Sequence, residues 1–356
     1  MPWRESADPY LVWISEIMLQ QTTIAAVIPY FERFRKRFPT VADLAAAEEA
    51  HVLRLWEGLG YYSRARNLHK AARVIVDELN GQFPDTVETL QNLPGIGPYT
   101  ARAIASVALG HGVGILEANT LRLYSRLIEL DQDPRSTAGN SLLWEFADWV
   151  VAPRSASAFN QAAMDIGSTV CTPENPDCPN CPLNPVCCSL KNNRQNEIPV
   201  AAVKKQMSDV TEVAFVLRRG RKVLMKQYQP GERWAGLWDF VRFPVSTDTG
   251  DQLRHLRGNS ASGQRSLFMN DAVPLAEQLV QQQTGLRVQS PELLRQMRHT
   301  VTRYRIRLFC LFSDKVSGSL NRSSGLTWKS AEELDDLPLS TTARRIAGLI
   351  QNRSRH

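Results

Sequence analysis

Residues 93–100, Leu-Pro-Gly-Ile-Gly-Pro-Tyr-Thr, constrain the fold of this chain more than any other stretch. The first proline ends one helix, and Gly95 and Gly97 permit positive φ and the close approach of another backbone. Unpaired backbone N–H groups then begin the next helix at Thr100, and such an amide-lined turn suits one phosphate of a nucleic-acid backbone. The pattern predicts the turn of a helix-hairpin-helix, with an ordinary corner between two helices as the alternative.

Two carboxyl side chains are candidates for chemistry. Glu117 follows the alanine-rich segment after this turn, and we expect it just beyond the second hairpin helix, facing whatever the hairpin binds. Glu16 lies in a helical segment and shares its face with Val12, Trp13 and Leu19. A carboxyl among such residues is desolvated, which raises its pKa and lets it hold a proton near neutral pH. The alternative for Glu16 is a helix edge from which the side chain reaches water.

The length of the chain, 356 residues, predicts two domains, each large enough to bury a core. Up to residue 190 there are 15 Lys and Arg against 21 Asp and Glu, and after it 27 against 15, so the C-terminal half is the basic one. Nucleic-acid binding by the first half would therefore depend on backbone amides and local patches. No apolar run approaches the roughly 18 residues of a membrane span, and no signal-peptide pattern begins the chain, which predicts a cytoplasmic, nucleoid-associated protein.

The hydrophobic pattern divides the chain into a helical part and a mixed part. Apolar residues recur on a helical period through residues 10–37, and further helical segments follow with no convincing strand before residue 210. Residues 191–208 are polar and lack periodicity, which is typical of a linker. We therefore expect an all-α domain (1–190), a linker (191–208) and an α+β domain (209–356).

Local patterns give more detail for the α+β domain. Residues 213–226 predict a β-hairpin with a basic turn, and residues 273–283 predict a helix. Residues 304–312 alternate strictly, which predicts a strand with one apolar face. The polar composition of residues 246–266 predicts a mobile loop. We expect one face of the resulting sheet to pack against helix.

Four cysteines end the helical domain with the spacing Cys171-x6-Cys178-x2-Cys181-x5-Cys187, in a loop rich in proline. Disulfides are disfavoured in a reducing cytoplasm, so the four thiols indicate a metal, and we expect Cys188 to be a bystander. Zinc and a 4Fe–4S cluster both accept four thiolates, and the spacing alone does not choose between them.

Several stretches carry a further signal in combination: residues 15–22 (Ser-Glu-Ile-Met-Leu-Gln-Gln-Thr), residues 58–68 (Gly-Leu-Gly-Tyr-Tyr-Ser-Arg-Ala-Arg-Asn-Leu), the 93–100 turn and the four-cysteine spacing. Together they resemble the MutY-type adenine DNA glycosylases of the helix-hairpin-helix superfamily, to which endonuclease III also belongs. The resemblance extends over nearly the whole chain. It implies a 4Fe–4S cluster rather than zinc, and a monomer that acts on double-stranded DNA. The implied reaction is hydrolytic removal of adenine mispaired with 8-oxoguanine or guanine, which initiates base excision repair.

The resemblance implies chemical roles for four residues. Adenine must be flipped out of the duplex and protonated before it can leave, and Glu16 matches the proton donor of the family. Glu117 stands where the family has an Asp beside the cationic sugar, and its extra methylene moves the carboxylate by about 1.5 Å. Asn119 matches a residue that steadies the water or the sugar. Tyr99 occupies the position of the Schiff-base lysine of endonuclease III, which favours a monofunctional enzyme.

Other matches concern the base and the DNA backbone. Trp3 and Arg4 match an edge of the base pocket, and Asp165 matches an acceptor for the adenine amino group, with a surface carboxylate as the alternative. The candidates to wedge into the base stack are Gln20, Gln21 and Tyr61 or Tyr62. The candidates to line the path of the phosphates, or else to form a solvated charged face, are Arg33, Arg35, Lys36, Arg64, Arg66 and Lys70.

The second domain resembles the Nudix-like module that recognises 8-oxoguanine in this family. Residues 278–286 lack the glutamates with which a Nudix hydrolase binds Mg²⁺, so we expect binding without hydrolysis. The lesion-contacting tip, typically Phe-Ser-His, is here Val301-Thr302-Arg303. Thr302 keeps a hydroxyl for hydrogen bonding, and Arg303 could contact a base edge or a phosphate. The alternatives are a glycosylase of altered mispair specificity and a non-catalytic DNA mismatch-binding protein.

Overall fold

The computed structural model describes residues 1–200, 206–256, 269–321 and 325–353. The chain forms two compact units. The first consists of Met1–Ala47 and Tyr61–Lys204, and the second of Glu48–Gly60 and Lys205–His356. The predicted domain boundaries at residues 190 and 208 stay a prediction. None of the helices in these described ranges combines the length and the apolar character needed to cross a lipid bilayer.

The described residues before 208 form helices joined by loops. The helices are α1 (Pro9–Leu19), α2 (Ile24–Arg37), α3 (Val41–Ala45), α4 (Glu49–Leu55), α5 (Ser63–Asp77), α6 (Val87–Gln91), α7 (Pro98–Val107), α8 (Ala118–Leu127), α9 (Thr137–Val150), α10 (Ala156–Thr169) and α11 (Cys188–Lys191). Short 3-10 turns lie at Pro2–Arg4, Pro153–Ser155, Cys178–Asn180 and Asn184–Val186. The first strand in the described ranges begins at Ser208, so the prediction of an all-α first domain is confirmed.

The helical stretch 10–37 is two helices, α1 and α2, with Gln21 between them at a left-handed φ of 56°. A buried guanidinium, that of Arg64 on α5, fixes the end of α1. It donates to the carbonyl oxygens of Ile17 and Met18 at 2.8 and 3.0 Å and also to that of Gln20. Carbonyls at a helix end have no partner within the helix, so Arg64 completes α1. The hypothesis that Arg64 lines a phosphate path is therefore wrong.

The 93–100 turn joins α6 to α7 as predicted, but its two glycines differ. Gly95 has a φ of 79°, and a Cβ there would lie 2.6 Å from the Cβ of Asn67. Gly97 is extended, with φ −92° and ψ 179°, and caps α7, which begins at Pro98. A proline suits the first helical position because the N–H that it lacks would have no partner there. The expectations of positive φ at Gly97 and of a helix start at Thr100 are therefore wrong.

The packing of α7 positions the functional part of the first unit. Both α1 and α10 pack against α7, and α10 also packs against α8. Gly167 on α10 lies so close to α8 that a Cβ there would meet the Asn119 carbonyl oxygen at 2.8 Å. The N-terminal ends of α7 and α8 are thereby held beside α1 and α10.

The second unit is built on a six-stranded sheet. Its elements are β1 (Ser208–Arg219), β2 (Lys222–Gln227), β3 (Trp238–Val245), α12 (Thr247–Leu253), α13 (Met269–Thr284), β4 (Arg287–Val288), β5 (Glu292–Val301), β6 (Tyr304–Ser313), β7 (Val316–Ser317), β8 (Leu326–Ser330), α14 (Ala331–Asp336) and α15 (Thr341–Arg353). The strand order is β5-β6-β1-β3-β2-β8, with β1 parallel to β6 and the other pairs antiparallel. The predicted hairpin, helix and alternating strand correspond to β1–β2, α13 and β6.

Helices cover both faces of this sheet, so the expectation of one covered face is wrong. Ile306 and Leu308 on β6 pack in a core with residues of α14 and α15. Phe309 and Leu311 on the same strand pack on the other face with residues of α12 and α13. The arginines that alternate at the start of β6 conceal this, because the second face becomes apolar only from Phe309 onward.

Part of the predicted mobile loop at 246–266 is helix. Residues 247–253 form α12, and the hydroxyl of Ser246 caps it by accepting from the N–H of Thr249 at 3.0 Å. The expectation of a loop is therefore wrong for α12, and residues 257–266 lie outside the described residues.

Candidate active site

A cleft of about 1340 Å³ lies in the first unit. Its walls come from the Pro2–Arg4 turn, the end of α1, the N-terminal ends of α7 and α8, and α10. It brings together the following predicted site residues: Trp3, Arg4, Glu16, Gln20, Gln21, Gly97, Tyr99, Thr100, Glu117, Asn119 and Asp165. Gly95 and Tyr61, although described, are not among the lining residues.

Glu16 faces this cleft from α1 and is only 8% exposed. The hydroxyl of Tyr99 donates a hydrogen bond to its carboxylate. Burial raises the pKa of Glu16 to about 7; the Tyr99 hydrogen bond and the charge of Arg4 lower this pKa, while the charge of Glu117 raises it further. Glu16 therefore carries a proton for much of the time near neutral pH, and the alternative of a water-exposed helix edge is wrong.

Tyr99 lies in the first turn of α7, beside Glu16 and α10. Its hydroxyl is 4.0 Å from the sulfur of Met164. Burial raises the pKa of Tyr99 well above its ordinary value, and the nearby Glu16 and Glu117 carboxyls raise it further. Tyr99 is therefore a neutral hydrogen-bond donor that holds the Glu16 carboxyl in place.

Glu117 is the N-cap residue of α8. Its Oε1 accepts hydrogen bonds from the N–H groups of Asn119 at 2.8 Å and Thr120 at 2.9 Å, and the Thr120 hydroxyl accepts from the N–H of Glu117 at 2.8 Å. The positive end of a helix favours a carboxylate at this position. The longer side chain of Glu117 is thus folded back onto α8, with its charge at the wall of the cleft.

Asn119 is oriented by a residue that sequence reasoning missed. The Arg122 Nη2 donates to Asn119 Oδ1 at 3.1 Å and to the carbonyl of Gly167, and its Nε donates to the carbonyl of Cys171 at 2.7 Å. Arg122 therefore connects Asn119 to the start of the cysteine loop. The sequence carries no signal for these contacts, because Gly167 and Cys171 are distant from Arg122 along the chain.

Arg4 and Asp165 form a two-pronged ion pair at the edge of the cleft. Each guanidinium Nη donates to one carboxylate oxygen, both at 2.8 Å. The side chain of Asp165 is half-exposed. Both oxygens expected to accept from a base are thus bound to Arg4, so an incoming amino group would have to share or replace this contact.

Two of the predicted wedge residues, Gln21 and Tyr61, lie at exposed, left-handed positions. Gln21 has φ 56° and Tyr61 has φ 49°, and both side chains are exposed. The Arg64 guanidinium lies 5.5 Å from the centre of the Tyr61 ring. Gln20 instead bonds within the cleft, where its Nε2 donates to the Thr100 hydroxyl at 3.3 Å.

The four predicted ligand cysteines, Cys171, Cys178, Cys181 and Cys187, line a cavity of about 370 Å³ in the first unit. None of them is in a disulfide. Burial raises the pKa of Cys178 and of Cys187, and the neighbouring thiols raise both further. Among the described residues, no three Cys, His, Asp or Glu side chains are grouped so that they could hold a metal ion.

The donor set of this cavity nevertheless fits a thiolate-bound group. Its only metal-binding side chains apart from Asp177 are the four thiols, and Cys188 is not among the described lining residues. The guanidinium of Arg126, another residue that sequence reasoning missed, is buried and lies 3.2 Å from the sulfur of Cys171. A cation in this position would offset part of the negative charge of a thiolate-bound group.

In the second unit, Thr302 and Arg303 form the two-residue turn between β5 and β6. Val301 pairs with Tyr304, Thr302 has φ 54°, and both turn side chains are exposed. His299, which precedes this tip, is half-buried, and its Nε2 lies 3.1 Å from the guanidinium of Arg242. Burial and the Arg242 charge lower the pKa of His299 to about 4, so it is neutral.

Two family models of known proteins match this chain, one in its N-terminal half and one in its C-terminal half. Residues 14–166 match the family model of the HhH-GPD superfamily base excision DNA repair proteins, and residues 213–348 match that of the NUDIX domain. An adenine DNA glycosylase of Buchnera aphidicola subsp. Schizaphis graminum is 35% identical over 254 residues, which cover 71% of this chain and 73% of that protein. A solved structure of a thermostable thymine-DNA glycosylase is 27% identical, with a TM-score of 0.51, covering 54% of this chain and 88% of that one.

The human adenine DNA glycosylase is 41% identical over 253 residues, which cover 68% of this chain but 46% of the human protein. The chain thus matches about half the length of its mammalian relatives. The match with the Buchnera protein covers most of both chains, and the NUDIX family model falls within the second unit. The chain belongs to the MutY-type adenine DNA glycosylase family, within the helix-hairpin-helix superfamily of base excision repair proteins.

Proposed function

We propose that this protein is a monofunctional DNA glycosylase that flips adenine, mispaired with 8-oxoguanine or guanine, out of double-stranded DNA and removes it by hydrolysis. The observation that carries the proposal is the buried Glu16 carboxyl, which faces an open cleft, is held by Tyr99 and has a pKa near neutrality. A general acid is most effective when its pKa lies near the working pH. A protein that only binds mismatches has no use for such a group.

In the first step, Glu16 transfers its proton to a ring nitrogen of the flipped adenine. The bond between the sugar and the base then breaks, and its electron pair leaves with the base. The sugar becomes cationic, and the negative charge of Glu117 at the cleft wall stabilises it. The α8 amides that bind one oxygen of Glu117 keep this charge fixed, so little reorganisation is required.

In the second step, water attacks the cationic sugar carbon and gives up a proton, for which the ionised Glu16 is the acceptor. Asn119, held by Arg122, steadies the water or the sugar. The group opposite Glu16 is the phenol of Tyr99, which cannot form a Schiff base. The reaction therefore ends at the abasic site without cleavage of the DNA strand.

The four cysteines would hold a 4Fe–4S cluster, which would stabilise the loop that follows α10. Arg122 binds the carbonyl of Cys171, so an ordered loop would also keep Asn119 in position. The test is iron and sulfide content with visible absorption of the purified protein. Cys178→Ser should lose both, whereas Cys188→Ser should keep them; a zinc content equal to the protein content, without iron, would contradict the proposal.

The Nudix-like unit would recognise the base opposite the adenine. Its residues 278–286 contain no carboxylate, so it would bind without hydrolysing nucleotides. Thr302 and Arg303 are exposed at the β5–β6 tip. Thr302 is the proposed contact to this base, and Arg303 would contact either a base edge or a phosphate. Because these residues differ from the Phe-Ser-His typical of the family, the release rates from A:8-oxoguanine and A:G duplexes have to be compared directly.

The experiment is single-turnover release of adenine from duplexes with A:8-oxoguanine, A:G and A:T pairs. We expect release from the two mispairs and not from A:T. Glu16→Gln should slow release by about 10²- to 10⁴-fold, as the loss of a general acid does, while affinity for the duplex is retained. Tight binding by wild type without any release would instead identify a mismatch-binding protein.

A further inference from the structure

The second unit carries two arginines on one aromatic ring. The Arg233 guanidinium lies 4.4 Å from the centre of the Tyr304 ring, and the Arg303 guanidinium lies 5.2 Å from it. Arg303 also donates to the Tyr304 hydroxyl at 3.0 Å. Arg233 comes from the loop between β2 and β3, whereas Arg303 comes from the β5–β6 turn. We call Arg233, Arg303 and Tyr304 the arginine pair site.

These two charges lack a carboxylate partner within the described part of the chain. Neither Arg233 nor Arg303 forms an ion pair with a carboxylate of any residue that the structure describes. The adjacent Glu232 is bound elsewhere, to Lys226 and to the N–H of Gln229, both at 2.6 Å. The arginine pair site is therefore a concentration of positive charge without a local counterion.

The next arginines along β6 behave differently. Arg305 pairs with Asp209 at 2.9 Å, and Arg307 pairs with Asp251 at 2.9 Å. The charges of Arg305 and Arg307 on β6 are thus neutralised by carboxylates of neighbouring elements. The lack of such partners among the described residues distinguishes Arg233 and Arg303 from Arg305 and Arg307.

The site is also held in place before any ligand arrives. Tyr304 packs against the sheet core, and the Arg233 guanidinium contacts the Trp234 ring as well, 5.5 Å from its centre. A guanidinium that already stacks on aromatic rings loses less freedom on binding an anion than a free one. Both arginine side chains remain exposed, so a large polyanion can reach them.

We propose that the arginine pair site binds a backbone phosphate of duplex DNA, with one guanidinium on each side of the phosphate and the Tyr304 hydroxyl as a further donor. Guanidinium groups bind phosphate oxygens in pairs, which is the geometry that two convergent arginines offer. The inference rests on the proposed action on DNA and extends it, since it adds Arg233 and Tyr304 and assigns Arg303 to a phosphate and not to a base. Such a contact does not depend on sequence, so it would anchor the tip at any site.

The test is the salt dependence of binding to a short undamaged duplex by the full-length protein, followed by fluorescence anisotropy. Each phosphate contact contributes about 0.9 to the slope of log affinity against log salt. The variant Arg233→Gln with Arg303→Gln should reduce that slope by about 0.9 and weaken binding about eightfold at 0.1 M salt. The lysine variant at both positions, which keeps the charge, should retain the slope.

The matched control is Arg305→Gln with Arg307→Gln, which removes the same number of positive charges where each is already paired. It should change the slope much less. An equal loss of slope in both double variants would show a general charge effect and overturn the site, as would an unchanged slope in the Arg233 and Arg303 variant. Loss of binding to inorganic phosphate with an unchanged DNA slope would assign the site to a free anion instead.

Adenine release at saturating protein distinguishes failure of this inference from failure of the proposed function. The slope is measured without any base release, so it stands even if wild type releases no adenine. Circular dichroism and thermal unfolding of each variant confirm that the second unit is folded. If the double glutamine variant is unstable, the single variants Arg233→Gln and Arg303→Gln give the result: each should lower the slope, and an unchanged slope in both would overturn the site.

Discussion

Two buried carboxyl groups, one in each unit, show what separates a reactive acid from a structural one. Asp239 on β3 is fully buried and accepts from the Ser340 hydroxyl at 2.9 Å and from the N–H of Phe240 at 2.8 Å, with the Arg242 guanidinium 3.5 Å away. Glu16 is nearly as buried but has a neutral phenol as its partner and opens onto a cleft. Burial raises the pKa of both carboxyl groups. At Asp239 the charge of Arg242 and the hydrogen bonds from Ser340 and Phe240 oppose this rise, whereas at Glu16 the main opposing contact is the neutral Tyr99 phenol.

The surroundings of the two carboxyl groups also differ. Arg242 also binds Glu212 and Thr342, so the charges around Asp239 form a closed network inside the second unit. Near Glu16 the guanidinium of Arg4 is bound to Asp165 instead. The first unit thus leaves its buried acid without a bound cation, which suits proton transfer, and the second uses its buried charges to hold the sheet together.

The largest effect on stability should come from breaking the closed network. Asp239→Ala leaves Arg242 with less compensation, so we expect the free energy of unfolding of the second unit to fall by about 3–5 kcal/mol. The exposed ion pair of Asp209 with Arg305 supplies the control. Asp209→Ala should lower the free energy of unfolding by about 1 kcal/mol or less. Chemical denaturation measures both. A loss below 1 kcal/mol for Asp239→Ala would mean that the two carboxyl groups do not differ as described.

The next effect concerns stability and pH, without any assay of activity. The pKa of Glu16 is about 7 in the folded protein against an ordinary 4.5, so the unfolded state releases its proton first as pH rises. As the pH rises from about 4.5 to about 7, Glu16 therefore lowers the free energy of unfolding progressively, by about 3 kcal/mol in total. The unfolding free energy of wild type, relative to Glu16→Gln, should fall by that amount from pH 4 to pH 8. A constant difference would show that Glu16 is not a raised-pKa acid.

A smaller effect is expected at the partner of Glu16. Tyr99→Phe removes the hydrogen bond that stabilises the ionised form of Glu16, the form produced when Glu16 gives its proton to adenine. The pKa of Glu16 should therefore rise, and its carboxyl should move more freely. We expect adenine release to slow by roughly tenfold or more, since a hydrogen bond to a charged group is worth about 1.5–3 kcal/mol. Tyr10→Phe, which removes a buried hydroxyl bound to the Phe38 carbonyl, is the matched control. Equal rates for wild type and Tyr99→Phe would remove Tyr99 from the site.

Most of the cleft could be predicted from the sequence because its residues lie in short local patterns. Gly95 and Pro98 specify the turn before α7, and the apolar neighbours of Glu16 indicate its burial. The sequence did not reveal what fixes these groups, since the partners are distant along the chain. Arg64 completes α1 from another helix, and Arg126 reaches Cys171 from α8. The sequence alone is equally compatible with solvent-exposed positions for both arginines.

The sequence predicted strands of the sheet in the second unit, but it did not predict that helices cover both faces of this sheet. The alternation on β6 was correct up to Leu308, and the run Phe309 to Phe312 already shows apolar residues on both faces. The end of α1 at Leu19 had no glycine or proline to mark it. A left-handed Gln21 is a tertiary effect, stabilised by the contacts around Arg64 and not by local preference.

The pH dependence of single-turnover adenine release from an A:8-oxoguanine duplex tests the central claim most directly. Because the protonated form of Glu16 is the active one, the rate should be constant in mild acid and fall about tenfold per pH unit above about pH 7. The slow residual release by Glu16→Gln should lack this decline. A rate in wild type that stays constant from pH 6 to pH 9, or the same decline in Glu16→Gln, would contradict the account.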